Sequence, residues 1–211
     1  MTPRGDSIRV VLATTNRHKA REIAAILDSF GIEIVVPEGL PAVVEDGTTF
    51  AENARKKASS AARAIGMPAL ADDSGIEVAA LGGAPGIHSA RYAGEKATDT
   101  ENVERLLREI AARGLVDPAA QFVCAAVLCA PDGHVLAEAE GRVAGVVRGP
   151  PRGANGFGYD PVFHHTGPKH PAPGVRFADL SASDKDAISH RGIAFRTIAG
   201  EIALLSRARE S

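Results

Sequence analysis

The chain has 211 residues, 45% of them hydrophobic and 24% charged, which is enough for one well-packed domain spanning 1–211 and a little short for two. Its net charge is -2 with Lys and Arg spread along the chain, which excludes the basic footprint of a duplex-binding protein and leaves room for a nucleotide-sized anion. No apolar run approaches the roughly 20 residues that span a bilayer, and the N-terminal Met1-Thr2-Pro3-Arg4-Gly5-Asp6 lacks the apolar segment of a leader, so a cytoplasmic protein that binds neither membrane nor nucleic acid is expected.

Residues 8–13, Ile-Arg-Val-Val-Leu-Ala, read as a buried first strand; the polar turn Thr14-Thr15-Asn16 follows, then a helical pattern through Ile23, Ile26 and Leu27. Residues 32–36 alternate and are closed by Pro37, and the loop 39–47 carries Glu45 and Asp46. Thr49-Phe50-Ala51-Glu52 has capping-box spacing and opens an alanine-rich helix to Ile65, while Thr98-Asp99-Thr100-Glu101 repeats the signal before a helix through Leu106, Leu107 and Ile110. Between them the apolar approach 67–71 ends in Asp72 and Asp73, where the chain is expected to turn at Gly75 and deliver its acids to a sheet edge. Residues 121–130 and 134–147 read as two long strands joined at Pro131-Asp132-Gly133, an antiparallel hairpin. A Gly- and Pro-rich loop 149–158 leads to a short strand at 161–163 and a proline-punctuated segment to Gly174. Ser181 and Ser189 are placed to cap two closing helices, the last with a stripe of Ile193, Phe195, Ile198, Ile202 and Leu205. Parallel strands that continue as a hairpin make an α/β fold with a mixed sheet flanked by helices. Cys124 and Cys129 are five apart in a strand-like run, an odd spacing that points them to opposite faces and reads as core packing.

Several of these segments carry chemistry. Thr14, Thr15, Asn16 and Lys19 lie between the first strand and first helix, where free backbone N–H groups and the positive helix end favour an anion; a capped surface loop is the plainer reading. Glu45, Asp46, Asp72 and Asp73 together supply oxygen ligands for Mg2+, which takes one or two carboxylates plus substrate phosphates. Asp73 is the choice for a general base that activates water. Of the adjacent Lys56 and Lys57, Lys57 shares the helix face of Asn53. Phe157-Gly158-Tyr159-Asp160 sets two aromatics around a glycine in a chain that is only 4% aromatic, an arrangement suited to stacking on a base, with packing as the alternative. His190 and Arg191 stand in the first turn of the last helix, where Arg can donate two parallel hydrogen bonds to a keto oxygen and its neighbour. His164, His165 and His170 lack a metal-ligand spacing and are expected at the surface.

In order along the chain, Thr14-Thr15-Asn16-Arg17-His18-Lys19, the helix start 49–58, the block 71–94, Gly156-Phe157-Gly158-Tyr159-Asp160-Pro161 and Ile188-Ser189-His190-Arg191 resemble the inosine triphosphate pyrophosphatase family of non-standard purine nucleoside triphosphate pyrophosphatases. The resemblance implies an elongated mixed sheet in two lobes with a central substrate cleft, a homodimer, and Mg2+-assisted hydrolysis of ITP, dITP and XTP to the monophosphate and pyrophosphate. It implies that Thr14, Thr15, Asn16, Arg17, His18 and Lys19 hold phosphates with Lys57 assisting, that Glu45 and Asp73 serve the metal with Asp72 close by, and that Ser74 touches substrate. Phe157, Gly158, Tyr159 and Asp160 would frame base and sugar, and Lys185, His190 and Arg191 would close over the base. Hypoxanthine and xanthine carry a keto group at C6 where adenine carries an amino donor, so a donor-only site disfavours adenine by about 1–3 kcal/mol per mismatched group. Asp179 and Asp184 stand where this family commonly has glutamate. Two readings compete: the septum-formation-inhibitor-like pyrophosphatases of other base preference, and a nucleotide-binding regulator without turnover.

Overall fold

The computed structural model describes residues 8–167 and 174–210, with side chains described to 207. Elements follow in the order β1 (Ile8–Leu12), α1 (Arg17–Asp28), β2 (Ile32–Val35), α2 (Phe50–Ile65), β3 (Ala69–Val78), α3 (Asp99–Ala112), β4 (Ala119–Cys129), β5 (Val135–Val147), β6 (Phe163–His165), α4 (Ala182–Ile188) and α5 (His190–Glu210). Among the described residues these strands form a 6-stranded sheet in the order β2-β1-β3-β4-β5-β6. β1 pairs parallel with β2 and β3, in the registers Val10 to Ile34 and Leu12 to Leu70, while β5 pairs antiparallel with β6, Val147 opposite Phe163. The sheet is therefore mixed. No described helix is long and apolar enough to cross a membrane.

The chain separates into two compact units, one of residues 1–73, 125–140 and 191–211, the other of 74–124 and 141–190. In the first, small side chains set how closely a helix can approach the sheet. Ala54, Ala58, Ala61 and Ala62 of α2 lie buried on Val11, Ala13, Ala69, Ala71, Val127 and Cys129, with Leu40 and Met67 packed against this cluster. α2 begins where the sequence says it should: Thr49 accepts from the Glu52 N–H at 3.1 Å. The return arm of the box reaches one residue further back than expected, because Glu52 Oε2 takes the N–H and hydroxyl of Thr48, at 2.6 and 2.9 Å. α3 carries both arms of the box, with Thr98 and Glu101 capping each other's N–H groups. In α5 the buried stripe is Ala194, Phe195, Ile198, Ala199 and Ile202, while Ile193 and Leu205 are only half-buried.

Three expectations change. β3 does not stop at the acids; it runs through Asp72, Asp73, Ser74 and Gly75 to Val78 in the sheet interior, between β1 and β4. Gly75 is needed for close approach and not for a turn, since a Cβ there would lie 2.3 Å from Ser89 Oγ and 2.5 Å from the Gly86 carbonyl oxygen. Ser89 in turn accepts the Ile76 N–H at 3.0 Å and donates to Gly86 O at 2.6 Å, which docks the 3-10 turn Gly86–Arg91 on the strand. The last strand begins at Phe163, two residues late, because Pro161 has no N–H to pair and the Val162 N–H closes a turn onto Tyr159 O at 3.1 Å. His164 and His165 are buried, not at the surface: both sit in β6, and the His165 ring lies over Phe177 at 6.2 Å. His170 lies outside the described residues.

Candidate active site

In the first unit, successive residues of a strand point to opposite faces, so Asp72 and Asp73 leave β3 in opposite directions and find different partners. Asp73 is on the face of Ala69 and Ala71, which α2 covers. Its Oδ2 accepts from Asn53 Nδ2 at 3.1 Å and its Oδ1 lies 3.4 Å from Lys57 Nζ. Asn53 and Lys57 are one helical turn apart on α2, the i and i+4 pair the sequence suggested. Lys57 also holds Glu45, Nζ to Oε2 at 3.3 Å, so one ammonium draws both carboxylates assigned to the metal.

Asp72 faces α1 and α5. Lys19 Nζ sits 3.0 Å from its Oδ2 and Arg191 Nη2 3.5 Å away, while Arg191 Nη1 reaches Glu22 Oε2 at 2.5 Å. Lys19 and Glu22 are three apart on α1 and share a face, so one turn of helix presents a cation and an anion to the pair behind it. Arg191 is 2% exposed. Nη1 and Nη2, which the sequence offers to a keto oxygen, lie on these carboxylates in this structure, within the network around Asp72.

The two acids titrate in opposite directions. Burial alone would raise Asp72, but Lys19, Arg191 and Lys57 overcome it and hold its carboxyl well below the usual range. Burial raises Asp73 above its ordinary value, and Lys57, Lys19 and the Asn53 amide only partly offset it. Burial would lower Lys57, yet Asp73, Asp72 and Glu45 raise it, so it stays an ammonium at neutral pH. The result is a firmly ionised acid beside one whose proton affinity is elevated.

The loop before α1 is less open to an anion than its sequence implies. Asn16 Oδ1 already accepts the N–H groups of His18 and Lys19, at 2.9 and 3.1 Å, and the Asn16 N–H is taken by Thr14 Oγ1 at 3.1 Å. Of the side chains, Thr15, Asn16, Arg17 and His18 are exposed and Lys19 is half-buried. Among the described residues no three His, Cys, Asp or Glu side chains are gathered as a metal cage. The donor chemistry nevertheless suits a hard divalent cation such as Mg2+, since Lys57 draws two carboxylates, Glu45 and Asp73, together, and Mg2+ takes one or two carboxylates plus substrate phosphates.

The second unit holds a separate polar cluster. Asp160, 2% exposed, accepts from Lys185 Nζ at 2.5 Å and from the Phe157 N–H at 2.9 Å, and Lys185 Nζ lies 4.8 Å above the Phe157 ring. Gly156 and Gly158 have φ of 75° and 59°, and a Cβ on Gly156 would fall 2.1 Å from Asp160 Oδ2, so the loop wraps its carboxylate too closely for a side chain. Gly158 N–H is held by Asp99 at 2.7 Å. Phe157 is half-buried and presents an aromatic face; Tyr159 is not available in the same way, since its ring is 5% exposed and its hydroxyl donates to Ser89 O at 2.8 Å. His190 is stacked on Phe122 at 4.7 Å with the rings 10° apart. Ser74 is half-buried in β3. Of the two shortened acids, Asp179 pairs with Arg176 at 3.1 Å and Asp184 accepts from the Ser181 hydroxyl at 2.7 Å, so both act on their own turns.

The sequence reading named Asn53 only as sharing the helix face of Lys57 and gave it no role, and it passed over Glu22. A fully buried amide inside an alanine stripe, one turn from Lys57, is the signal that points to the first; the three-residue step from Lys19 is the signal for the second.

The chain is similar to known proteins along most of its length. The family model for the Ham1 family matches residues 10–201. The dITP/XTP pyrophosphatase of Syntrophobacter fumaroxidans is 51% identical over 186 residues, 87% of this chain and 77% of that one, and that of Desulfotalea psychrophila is 46% identical over 195 residues, 91% and 84%. Among solved structures, the HAM1 protein from Coxiella burnetii superposes with a TM-score of 0.81 at 38% identity, covering 93% of this chain and 98% of its own. The Staphylococcus aureus Ham1 protein does so with 0.78 at 37%, covering 92% and 98%. Sheet order, motif order and this likeness along almost the whole length converge, and the chain belongs to the Ham1 family.

Proposed function

We propose that this protein hydrolyses deaminated purine nucleoside triphosphates, dITP, XTP and ITP, to the nucleoside monophosphate and pyrophosphate, and so clears them from the nucleotide pool. The observation that carries the reading is Asp73: a carboxylate largely withdrawn from water, raised in pKa, and held beside Lys57 and Glu45 on a family scaffold whose relatives at 46–51% identity are named dITP/XTP pyrophosphatases. In this reading Asp73 accepts a proton from the water that attacks the α-phosphorus, and the bond to the bridging oxygen breaks toward pyrophosphate. Lys57 and Lys19 stabilise negative charge as it shifts onto the leaving group. Glu45 and Asp73 would hold Mg2+, which supplies charge neutralisation at the phosphates when bound. Thr14, Thr15, Asn16, Arg17 and His18 add phosphate contacts from their exposed loop, and Ser74 a further one to substrate.

Lys185 and Phe157 give the base its site. An ammonium only donates, so it suits a C6 keto oxygen and opposes the C6 amino group of adenine. Asp160 keeps that ammonium aimed while also accepting from the loop backbone. A homodimer belongs to the same reading, and sedimentation velocity tests it: one species near twice the 21.9 kDa of the chain supports it, a monomer overturns it. The reaction is tested by incubating the protein and Mg2+ with ITP, XTP, dITP, ATP, GTP and a pyrimidine triphosphate and identifying the phosphate product. Pyrophosphate from XTP or dITP with little from ATP supports the reading; binding of all of them without turnover would favour a regulator.

A further inference from the structure

We infer that Asn53 is a positioning residue that decides which oxygen of Asp73 reacts. The inference rests on the role of Asp73 proposed above. Asn53 is 0% exposed, and its amide has one partner on each side: the Gly47 N–H at 2.8 Å and Asp73 Oδ2 at 3.1 Å. A backbone N–H can only donate, so the amide oxygen must face Gly47 and the NH2 must face Asp73. That orientation cannot flip without setting donor against donor at one end. Gly47 is held to it by shape as well, since a Cβ there would sit 2.6 Å from Asn53 Oδ1 and 2.8 Å from Glu52 Cβ. Consequently Oδ2 of Asp73 is committed to the amide, and Oδ1, on the side of Lys57 and through it Glu45, is left for chemistry. The same amide fixes the acidic loop to α2 at Gly47, two residues after Glu45.

Two variants test this against a merely structural role. Asn53→Leu keeps the branched outline of the side chain, with methyls in place of the amide O and N, and removes both bonds; at saturating Mg2+ its kcat should fall by about 10–100-fold, as for loss of a residue that orients a reacting group, with KM for the nucleotide unchanged. Glu52→Ala loosens the same loop at Thr48 without touching Asp73, and should lower thermal stability while leaving kcat near wild type. Contact is tested without activity by an exchange: Asn53→Asp alone sets two carboxylates together and lowers the melting temperature, whereas Asn53→Asp combined with Asp73→Asn restores the donor and acceptor and recovers it. If Glu52→Ala reduces kcat as much as Asn53→Leu, or if the two substitutions in the exchange are additive, the inference is overturned. Normal turnover in Asp73→Asn would remove the role of Asp73 itself; loss of turnover there with normal kcat in Asn53→Leu would remove only the role of Asn53.

Discussion

Two adjacent aspartates that titrate in opposite directions should respond oppositely to the same substitution. Asp72→Asn removes the charge that Lys19 and Arg191 surround, in a position 1% exposed at the side chain, and leaves Lys19 without that partner and Arg191 with one fewer acid. Breaking a buried pair from one side costs about 3–5 kcal/mol. At about 2–4 °C per kcal/mol for a chain of this size, the melting temperature should drop by roughly 6–20 °C. Asp73→Asn removes a charge that burial already disfavours, and the new amide oxygen can still accept from Asn53, so stability at neutral pH should hold or rise. Its turnover should fall by about 10²–10⁴ with the loss of the base. The pH dependence follows in sign. Asp72 is depressed in the fold, so its stabilisation is present above the ordinary value of 3.8 and is lost as pH falls below it; the gap between wild type and Asp72→Asn should close there. Asp73 is raised, so its penalty is full above its folded pKa and is relieved as pH falls from there to the ordinary value of 3.8. Thermal unfolding by far-UV circular dichroism at neutral and acid pH, with turnover measured in parallel, reads both. A stable Asp72→Asn beside a strongly destabilised, active Asp73→Asn would refute the reasoning.

Other substitutions probe the supporting structure. Gly75→Ala should destabilise by about 1–3 kcal/mol through overpacking against Ser89 and Gly86, and Ser89→Gly in the same chain should recover part of it in thermal melts. Lys185→Met should destabilise by about 3–5 kcal/mol by removing the Lys185 cation from buried Asp160, and should narrow the ratio of kcat/KM for XTP over ATP; an unchanged ratio would take Lys185 out of base selection. Thr98→Ala should cost about 0.5–2 kcal/mol through the lost cap of α3 without altering kcat.

What could be read from the sequence was what local contacts decide. The caps at Thr49 and Thr98, the alanine face of α2 and the hairpin turn at Asp132-Gly133 depend on residues a few positions apart, and each stands where its pattern put it. Lys57 was separable from Lys56 by helical phase alone; Lys56 instead reaches the exposed Asp46. Long-range partners were not legible in this way. Arg191 reads as a free donor until Glu22, 169 positions away, and Asp72, 119 away, claim it. Gly75 reads as a turn because nothing in its neighbourhood reveals that Ser89 packs onto it. Tyr159 and the His164-His165 pair look like loop residues because Pro and Gly surround them, yet burial against Ser89 and Phe177 is decided by tertiary packing.

The most direct test of the central claim is the identity of the phosphate released. With Mg2+ and XTP or dITP, the account predicts monophosphate and pyrophosphate in equal amounts, strongly reduced in Asp73→Asn and far slower with ATP. Orthophosphate as the first product, or equal turnover of every base, would contradict it.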